Sequence, residues 1–320
     1  MIELIDGETA RELVSHADAI AAMRAALAAF HRGDALLFPS MRGQGSDPST
    51  RFGVKAAYDS ASGYPGLKIG SFWPDNRQAG LPSHGSTTIL LDDKTGFPCA
   101  IVEATWLNAL RTAASDAVGV DLLARPDASR LAVVGTGNQA YHDVLAITLV
   151  RPLAEIAVCG RSDEQTLRLV RRLAEAGIAA RAATPETALP TADIVVTATA
   201  SRAPLFAAGL IGPGTHISTM GADGPGKQEL PPELSRRAAL FADAPAQSLE
   251  IGEFQYLAAT PCADRIVPIG AVINGDSPGR TAADMITIYD SSGIGIQDIA
   301  IAALVLDRAR EAGRVRQVPF

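Results

Sequence analysis

Residues 131–141, LAVVGTGNQAY, constrain the fold more than any other stretch of the chain. An apolar, β-branched run, Leu131-Ala132-Val133-Val134, stops at Gly135-Thr136-Gly137-Asn138-Gln139-Ala140. That order is strand, tight turn and helix start, with the spacing GxGxxA. The glycines let the backbone turn sharply and approach a pyrophosphate closely. The first turn of the helix then offers its unpaired N–H groups and the positive end of its dipole to the phosphates. Glycine turns are common, so the spacing alone is a weak signal. A second strand at the distance a βαβ unit requires strengthens it. Gly135, Thr136, Gly137, Asn138, Gln139 and Ala140 are therefore the expected dinucleotide loop.

Strand and helix alternate from here. A helix over Asn138–Leu149, a strand at Ile156–Val158 and a helix over Asp163–Ala176 precede strands at Ala192–Thr197, His216–Thr219 and Leu240–Ala242. This is the pattern of a doubly wound parallel sheet. Upstream, Glu8–Arg32 carries a helical period that Gly33 stops. The short apolar runs Phe52–Tyr58, Leu67–Phe72, Ser86–Leu91 and Pro98–Glu103, separated by turn clusters, predict antiparallel hairpins. Thr105–Ala124 is an Ala-rich helix, and Gly295–Ala312 a long apolar-striped helix expected to return to the first domain. The fold class is α/β: a Rossmann-type doubly wound domain over residues 118–294 and an α+β substrate domain from residues 1–117 with 295–320.

The formal charge of −7 argues against a nucleic-acid partner, which needs a basic face. Three scattered cysteines fit a reducing compartment. An acidic start without an apolar core, and no uninterrupted apolar stretch of spanning length, predict a cytoplasmic protein with no membrane partner. No His, Cys and carboxylate group has metal-ligand spacing, and no nucleophile elbow of the GxSxG kind occurs.

The strand at Ile156–Val158 ends in Cys159-Gly160-Arg161-Ser162. An acid there would accept both ribose hydroxyls and select NAD. Arg161 and Ser162 instead suit a 2′-phosphate, which favours NADP(H) over NAD(H). In the first domain, Arg42, Lys55, Lys68 and Arg111 stand among apolar or glycine neighbours. A cation in such a setting is costly unless it meets an anion. Each alone reads as a snorkelling side chain or a structural ion pair. Together, beside a nicotinamide domain, they suggest a carboxylate clamp. Asp223, in a Gly/Pro loop after a strand, is either a turn former or a catalytic acid. His84 is either a satisfied loop histidine or a donor to substrate.

These residues, with Gly66-Leu67-Lys68, Trp73-Pro74-Asp75-Asn76, Leu110-Arg111-Thr112-Ala113-Ala114, Met220-Gly221-Ala222-Asp223, Pro225-Gly226-Lys227-Gln228-Glu229-Leu230 and Asp290-Ser291-Ser292-Gly293, resemble the ornithine cyclodeaminase/μ-crystallin family over nearly the whole chain. Within it the chain looks most like the iminosuccinate reductase-like members. The resemblance implies that Arg42, Lys68 and Arg111 bind a substrate carboxylate and that Asp223 faces the substrate nitrogen. It implies that Thr112 joins the glycine loop at the pyrophosphate. It extends the cofactor site to Thr197, Ala198, Thr199, Met220, Gly221, Ser291 and Gly293. It also implies a homodimer formed through the first domain.

Ornithine cyclodeaminases carry a glutamate, two residues before a methionine, where this chain has Gly53 and Lys55. The expected activity is therefore NAD(P)H-dependent reduction of a small α-imino acid, with Lys55 and His84 reading a distal carboxylate. Cyclodeamination of ornithine and non-catalytic NADPH binding are the alternatives.

Overall fold

The glycine turn follows the strand Arg130–Val134 in an eight-stranded sheet whose pairings are all parallel. These are the coordinates of a computed structural model, which describes residues 1–319 and leaves out the side chain of Arg77. The strand order is Arg181–Ala183, Glu155–Cys159, Arg130–Val134, Ile194–Thr197, His216–Thr219, Ile286–Asp290, Ala238–Ala242 and Ile266–Pro268. After Arg130–Val134 the chain builds first to one side and later to the other. The glycine turn therefore stands at the switch point, where open α/β sheets bind ligands. Alternate residues of each strand feed two cores. Leu131, Val133, Val158, Ile194 and Val196 pack with Val144, Ile147 and Leu173, while Ala132, Val195, Ile217 and Ile288 pack on the other side.

This sheet belongs to one of two compact units, Thr112–Gly293; the other is Met1–Arg111 with Ile294–Phe320. The divisions fall at Arg111/Thr112, inside the helix Thr105–Leu123, and at Gly293/Ile294. The sequence pattern instead predicts boundaries after residues 117 and 294.

The first unit is a sheet in the order Arg316–Val318, Ile2–Ile5, Pro98–Glu103, His84–Leu91, Tyr64–Phe72, Arg51–Asp59 and Ala35–Leu37, with Met41–Gly43 also on Arg51–Asp59. The hairpins are antiparallel as expected, but Ile2–Ile5 pairs with Pro98–Glu103 in parallel. The single helix expected over Glu8–Arg32 is two, Gly7–Leu13 and His16–Arg32. Ser15 interrupts it: its hydroxyl accepts the Asp18 N–H at 3.2 Å, and the Asp18 carboxylate accepts the Ser15 N–H at 2.9 Å. The C-terminal helix Gly295–Glu311 lies on strands Arg51–Asp59 and Tyr64–Phe72 of this same unit.

Candidate active site

Residues opposite one another in neighbouring strands share a face of the sheet. In the first unit Lys55, Lys68 and Thr88 form one such row, and Arg42, Gly53, Gly70 and Ser86 the next. A third row holds Arg51, Phe72 and His84. Successive rows are two residues apart, so all of these side chains point the same way. Arg42, Lys55, Lys68 and His84, scattered over the sequence, thus share one surface. Arg42 and His84 are exposed; the His84 ring packs on Phe72, centroids 4.7 Å apart, and Arg51 covers the same phenyl at 4.8 Å.

Lys68 and Arg111 are buried together. The Lys68 ammonium donates to Asn108 Oδ1 at 2.8 Å and lies 3.2 Å from Asp298 Oδ2. The Arg111 guanidinium donates to Asn108 Oδ1 and Gln297 Oε1, both at 2.9 Å. Its Nε is 2.9 Å from Asp298 Oδ1. Burial would raise the Asp298 pKa, but Arg111, Lys68 and Lys55 outweigh it and hold the carboxyl below its ordinary value. The protein thus supplies an anion that the sequence reading did not provide. Lys68 and Arg111 share this carboxylate, and Lys55 stands directly across from Lys68. Like charges opposite one another are unfavourable. An anion bound beside them relieves that repulsion.

Asn108, Gln297 and Asp298 were not singled out in the sequence. Asn108 lies one turn before Arg111, on its side of the helix. Gln297 and Asp298 occupy the first turn of a helix that continues in the apolar run Ile299–Leu306, and both are buried. Polar residues inside an apolar stripe were the available signal.

In the second unit Gly135 adopts φ +138, and a Cβ there would sit 2.5 Å from the Ala198 carbonyl oxygen. Only glycine fits this turn. Gly137 caps the helix Asn138–Ile147 in extended backbone and has open space around its Cα. Having no side chain, it leaves the first helical N–H groups to a ligand. Ala140 is fully buried beneath the turn. These features fit a dinucleotide pyrophosphate. Asn138 accepts from Arg172 at 3.1 Å, Gln139 donates to Asp143 at 2.6 Å, and Thr136 donates to Gln165 at 3.4 Å. Thr112 is buried at the start of this unit.

Arg161 is exposed beyond the strand Glu155–Cys159, while the Ser162 hydroxyl caps the helix Asp163–Glu175 by accepting the Gln165 N–H at 3.4 Å. Arg161 is thus the cation at that strand end, with Ser162 engaged in the cap. The Thr197 hydroxyl is buried against Glu229, and Thr199 and Gly221 bond to the same carboxylate. Met220 is buried. Ser291 and Gly293 turn to Asp243, at 3.3 and 2.7 Å. Asp223 is exposed and paired with Lys227.

Beneath these loops lies a set of buried acids that the sequence did not reveal. Burial pushes Asp290 up to about 8 and Glu253 to about 9, with Asp243 and Glu229 respectively adding to the shift. Asp116 is pushed to about 7 by the same cause. Among the described residues, no group of three or more His, Cys, Asp or Glu is placed to hold a metal ion, and no single helix is long and apolar enough to cross a membrane.

The iminosuccinate reductase of Paracoccus denitrificans (strain Pd 1222) is 36% identical over 302 residues, 94% of each chain. Its crystal structure with NAD+ superposes with a TM-score of 0.94 at 34% identity, covering 100% of this chain and 99% of that one. An archaeal alanine dehydrogenase dimer with bound NAD gives 0.93 at 31% identity and 100% and 99% coverage. The Δ1-pyrroline-2-carboxylate reductase of Thermococcus litoralis, with NADH and L-proline, gives 0.93 at 26% identity and 99% and 100% coverage. The profile of the ornithine cyclodeaminase/mu-crystallin family matches residues 4–313. This chain belongs to the ornithine cyclodeaminase/mu-crystallin family.

Proposed function

We propose that the protein is an NAD(P)H-dependent oxidoreductase that reduces a small α-imino acid to the L-amino acid. The observation that carries this reading is the buried cluster in which Lys68 and Arg111 share the Asp298 carboxylate, with Lys55 directly across the strand pair from Lys68. Such a cluster favours an anionic ligand, and the guanidinium fork matches a carboxylate. The relatives that act on iminosuccinate and on Δ1-pyrroline-2-carboxylate take substrates of that description.

The reduced dinucleotide, when bound, supplies the hydride. Gly135, Gly137 and the start of the helix Asn138–Ile147 hold its pyrophosphate. Lys68 and Arg111, oriented by Asn108, Gln297 and Asp298, fix the α-carboxylate, with Arg42 on the same face. Fixing one end of so small a substrate largely fixes the imine carbon, and positioning of that kind supplies much of the acceleration. We assign Asp223 to the imine nitrogen. As a carboxylate beside Lys227 it favours the protonated imine, whose carbon is the better hydride acceptor. Hydride addition to that cation yields the neutral amine without a further proton.

Lys55 suits a distal carboxylate, which makes an iminosuccinate-like dicarboxylate the favoured substrate. The same cation repels the side-chain ammonium of ornithine and disfavours cyclodeamination. For the cofactor, Arg161 supports acceptance of NADP(H), although the relatives' structures hold NAD+, NAD and NADH. Free cysteines at 99, 159 and 262 suit the cytoplasm.

We also propose a homodimer. Leu36, Met41 and Ile69 are all exposed, from 37% to 58%, on the sheet face opposite the cations. Three large apolar side chains exposed on one face suit an interface, and the archaeal relative is a dimer.

The test is a panel of 2-oxo acids with ammonia, cyclic ketimines and ornithine, each assayed with NADH and NADPH, or NAD+ for ornithine, on the wild type and on Arg111→Ala. Loss of a buried, charge-assisted carboxylate contact costs about 2–5 kcal/mol, about 30-fold to several thousand-fold in kcat/KM. Cofactor binding should persist. Wild-type kinetics in the variant, or turnover of ornithine alone, would sink the reading.

A further inference from the structure

Glu229 is fully buried, and its carboxylate accepts four hydrogen bonds from the ends of two neighbouring strands. Oε2 receives the Thr197 hydroxyl at 2.8 Å and the Gly221 N–H at 2.9 Å. Oε1 receives the Thr199 N–H and the Thr199 hydroxyl, each at 2.7 Å. Thr197 and Thr219 are the last paired residues of the parallel strands Ile194–Thr197 and His216–Thr219. Past this point the two chains leave the sheet, and the N–H groups of Thr199 and Gly221 have no ladder to join. Buried N–H groups need acceptors, and one side chain from elsewhere in the unit satisfies both.

What those two segments support makes the carboxylate more than a filler. Ala198 lies between the two threonines that Glu229 holds, and its carbonyl is the surface on which the Gly135 turn rests: a Cβ at Gly135 would be 2.5 Å from it. Gly221 packs just as tightly, since a Cβ there would lie 2.1 Å from the Thr199 carbonyl oxygen. Two residues further on is Asp223, and Lys227 links Asp223 back to the Gly221 carbonyl at 3.0 Å. The pyrophosphate turn, the 197–199 segment and the Asp223 loop therefore take their spacing from one another, and Glu229 is the group bonded to two of the three.

Glu229 is itself held. Its own N–H and that of Leu230 donate to the Glu253 carboxyl, at 2.9 and 2.7 Å. The Glu253 N–H donates in turn to Asp290 Oδ2 at 2.9 Å, and Asp290 Oδ1 accepts from Thr219 at 3.1 Å. The chain of contacts returns to the strand next to the one where it began.

We propose that Glu229 is a positioning residue for the reductase reaction. By accepting from Thr197, Thr199 and Gly221 together, it sets the register of the loops that receive the dinucleotide and carry Asp223. This rests on the oxidoreductase reading above. Glu229 does not touch the cofactor, since it is sealed beneath the loops.

Glu229→Gln tests it with almost no change in volume. A carboxamide has a single oxygen. Whichever way it is turned, its NH2 group faces a backbone N–H, that of Thr199 or that of Gly221, and one of the two loops must shift. Binding of NADH and of NADPH is followed by their fluorescence at a temperature where the variant is folded by circular dichroism, and KM and kcat are measured separately for cofactor and imino acid. The expected result is a rise of 10-fold or more in cofactor Kd and KM, with the imino-acid KM within about threefold of the wild type. Thr197→Val removes one of the four donors from a side chain that is fully buried, and should raise cofactor Kd about threefold to 10-fold.

Should Glu229→Gln fail to fold, the Thr197→Val result decides, and unchanged cofactor binding there would overturn the proposal. A folded Glu229→Gln with a lower melting temperature but wild-type Kd and KM for cofactor would also overturn it, because that is the mark of a purely structural residue. Wild-type protein that binds neither NADH nor NADPH would remove the oxidoreductase reading itself.

Discussion

Arg111 Nε lies 2.9 Å from Asp298 Oδ1, and both side chains are buried. The same carboxylate pairs with Lys68 at 3.2 Å. Asp298→Asn keeps its shape and removes its charge, leaving Lys68 and Arg111 to face one another without it. Breaking a buried pair from one side costs about 3–5 kcal/mol. Urea unfolding should show a loss of that size. A small anion such as pyruvate or acetate should then raise the melting temperature of the variant more than that of the wild type. Equal stability would mean that the cations find another partner.

Lys55 stands across the strand pair from Lys68. If it reads a distal carboxylate, Lys55→Met should lower kcat/KM for dicarboxylic imines and spare or improve a cyclic ketimine. The variant removes a cation that the cyclic substrate does not engage. Comparing both substrates on both proteins cancels general damage. A parallel loss on both would place Lys55 with the α-carboxylate or in a structural role.

Arg161 is exposed, and no acid occupies residues 159–162. Arg161→Ala should weaken NADPH at least 10-fold more than NADH, as read by the ratio of the two kcat/KM values. An unchanged ratio would remove the argument for NADP(H).

The buried acids give stability a pH dependence of known sign. Asp290 and Glu253 are held protonated by burial, up to about 8 and about 9. In the unfolded chain such groups ionise near pH 4. The folded state therefore keeps protons that the unfolded state has lost. Stability is greatest below the unfolded pKa and declines as pH rises toward 8–9, by about 1.4 kcal/mol per pH unit for each group at most. Asp290→Asn, a neutral mimic, should flatten part of this slope and be more stable than the wild type at pH 9. A slope of the opposite sign between pH 6 and 9 would refute the assignment.

Ile69 belongs to the apolar face opposite the cations. Ile69→Asp should convert a dimer to monomers in sedimentation velocity while leaving the fold intact. A wild type that sediments as a monomer would end the dimer proposal.

Much of this was legible in the chain. The glycine turn reveals its strand, its helix and its place in a doubly wound sheet, because local backbone requirements alone dictate it. The row that joins Lys55 to Lys68 follows from two apolar runs and a hairpin, once the register is known. What escaped the sequence depends on contacts between distant segments. Arg111 bonds to Gln297 across 186 residues, and nothing near either residue announces the other. Glu229 looks like an ordinary acid in a loop until the two strand ends converge on it. The break at Ser15 was visible as a capping pair with Asp18, but a continuous apolar period masked it. Short edge strands such as Arg181–Ala183 carry too few apolar residues to stand out.

The first unit is built from both sides of the second in sequence, Met1–Arg111 before it and Ile294–Phe320 after it. On the ribosome, Lys68 and Arg111 therefore emerge long before Asp298, and the sheet that carries them must wait for the helix that supplies their counter-charge. The dinucleotide-type unit has no such delay, since its whole sheet is contiguous. Synthesis thus imposes an order of emergence: the second unit is fully synthesised first, and Asp298 can meet Lys68 and Arg111 only when translation has passed residue 298.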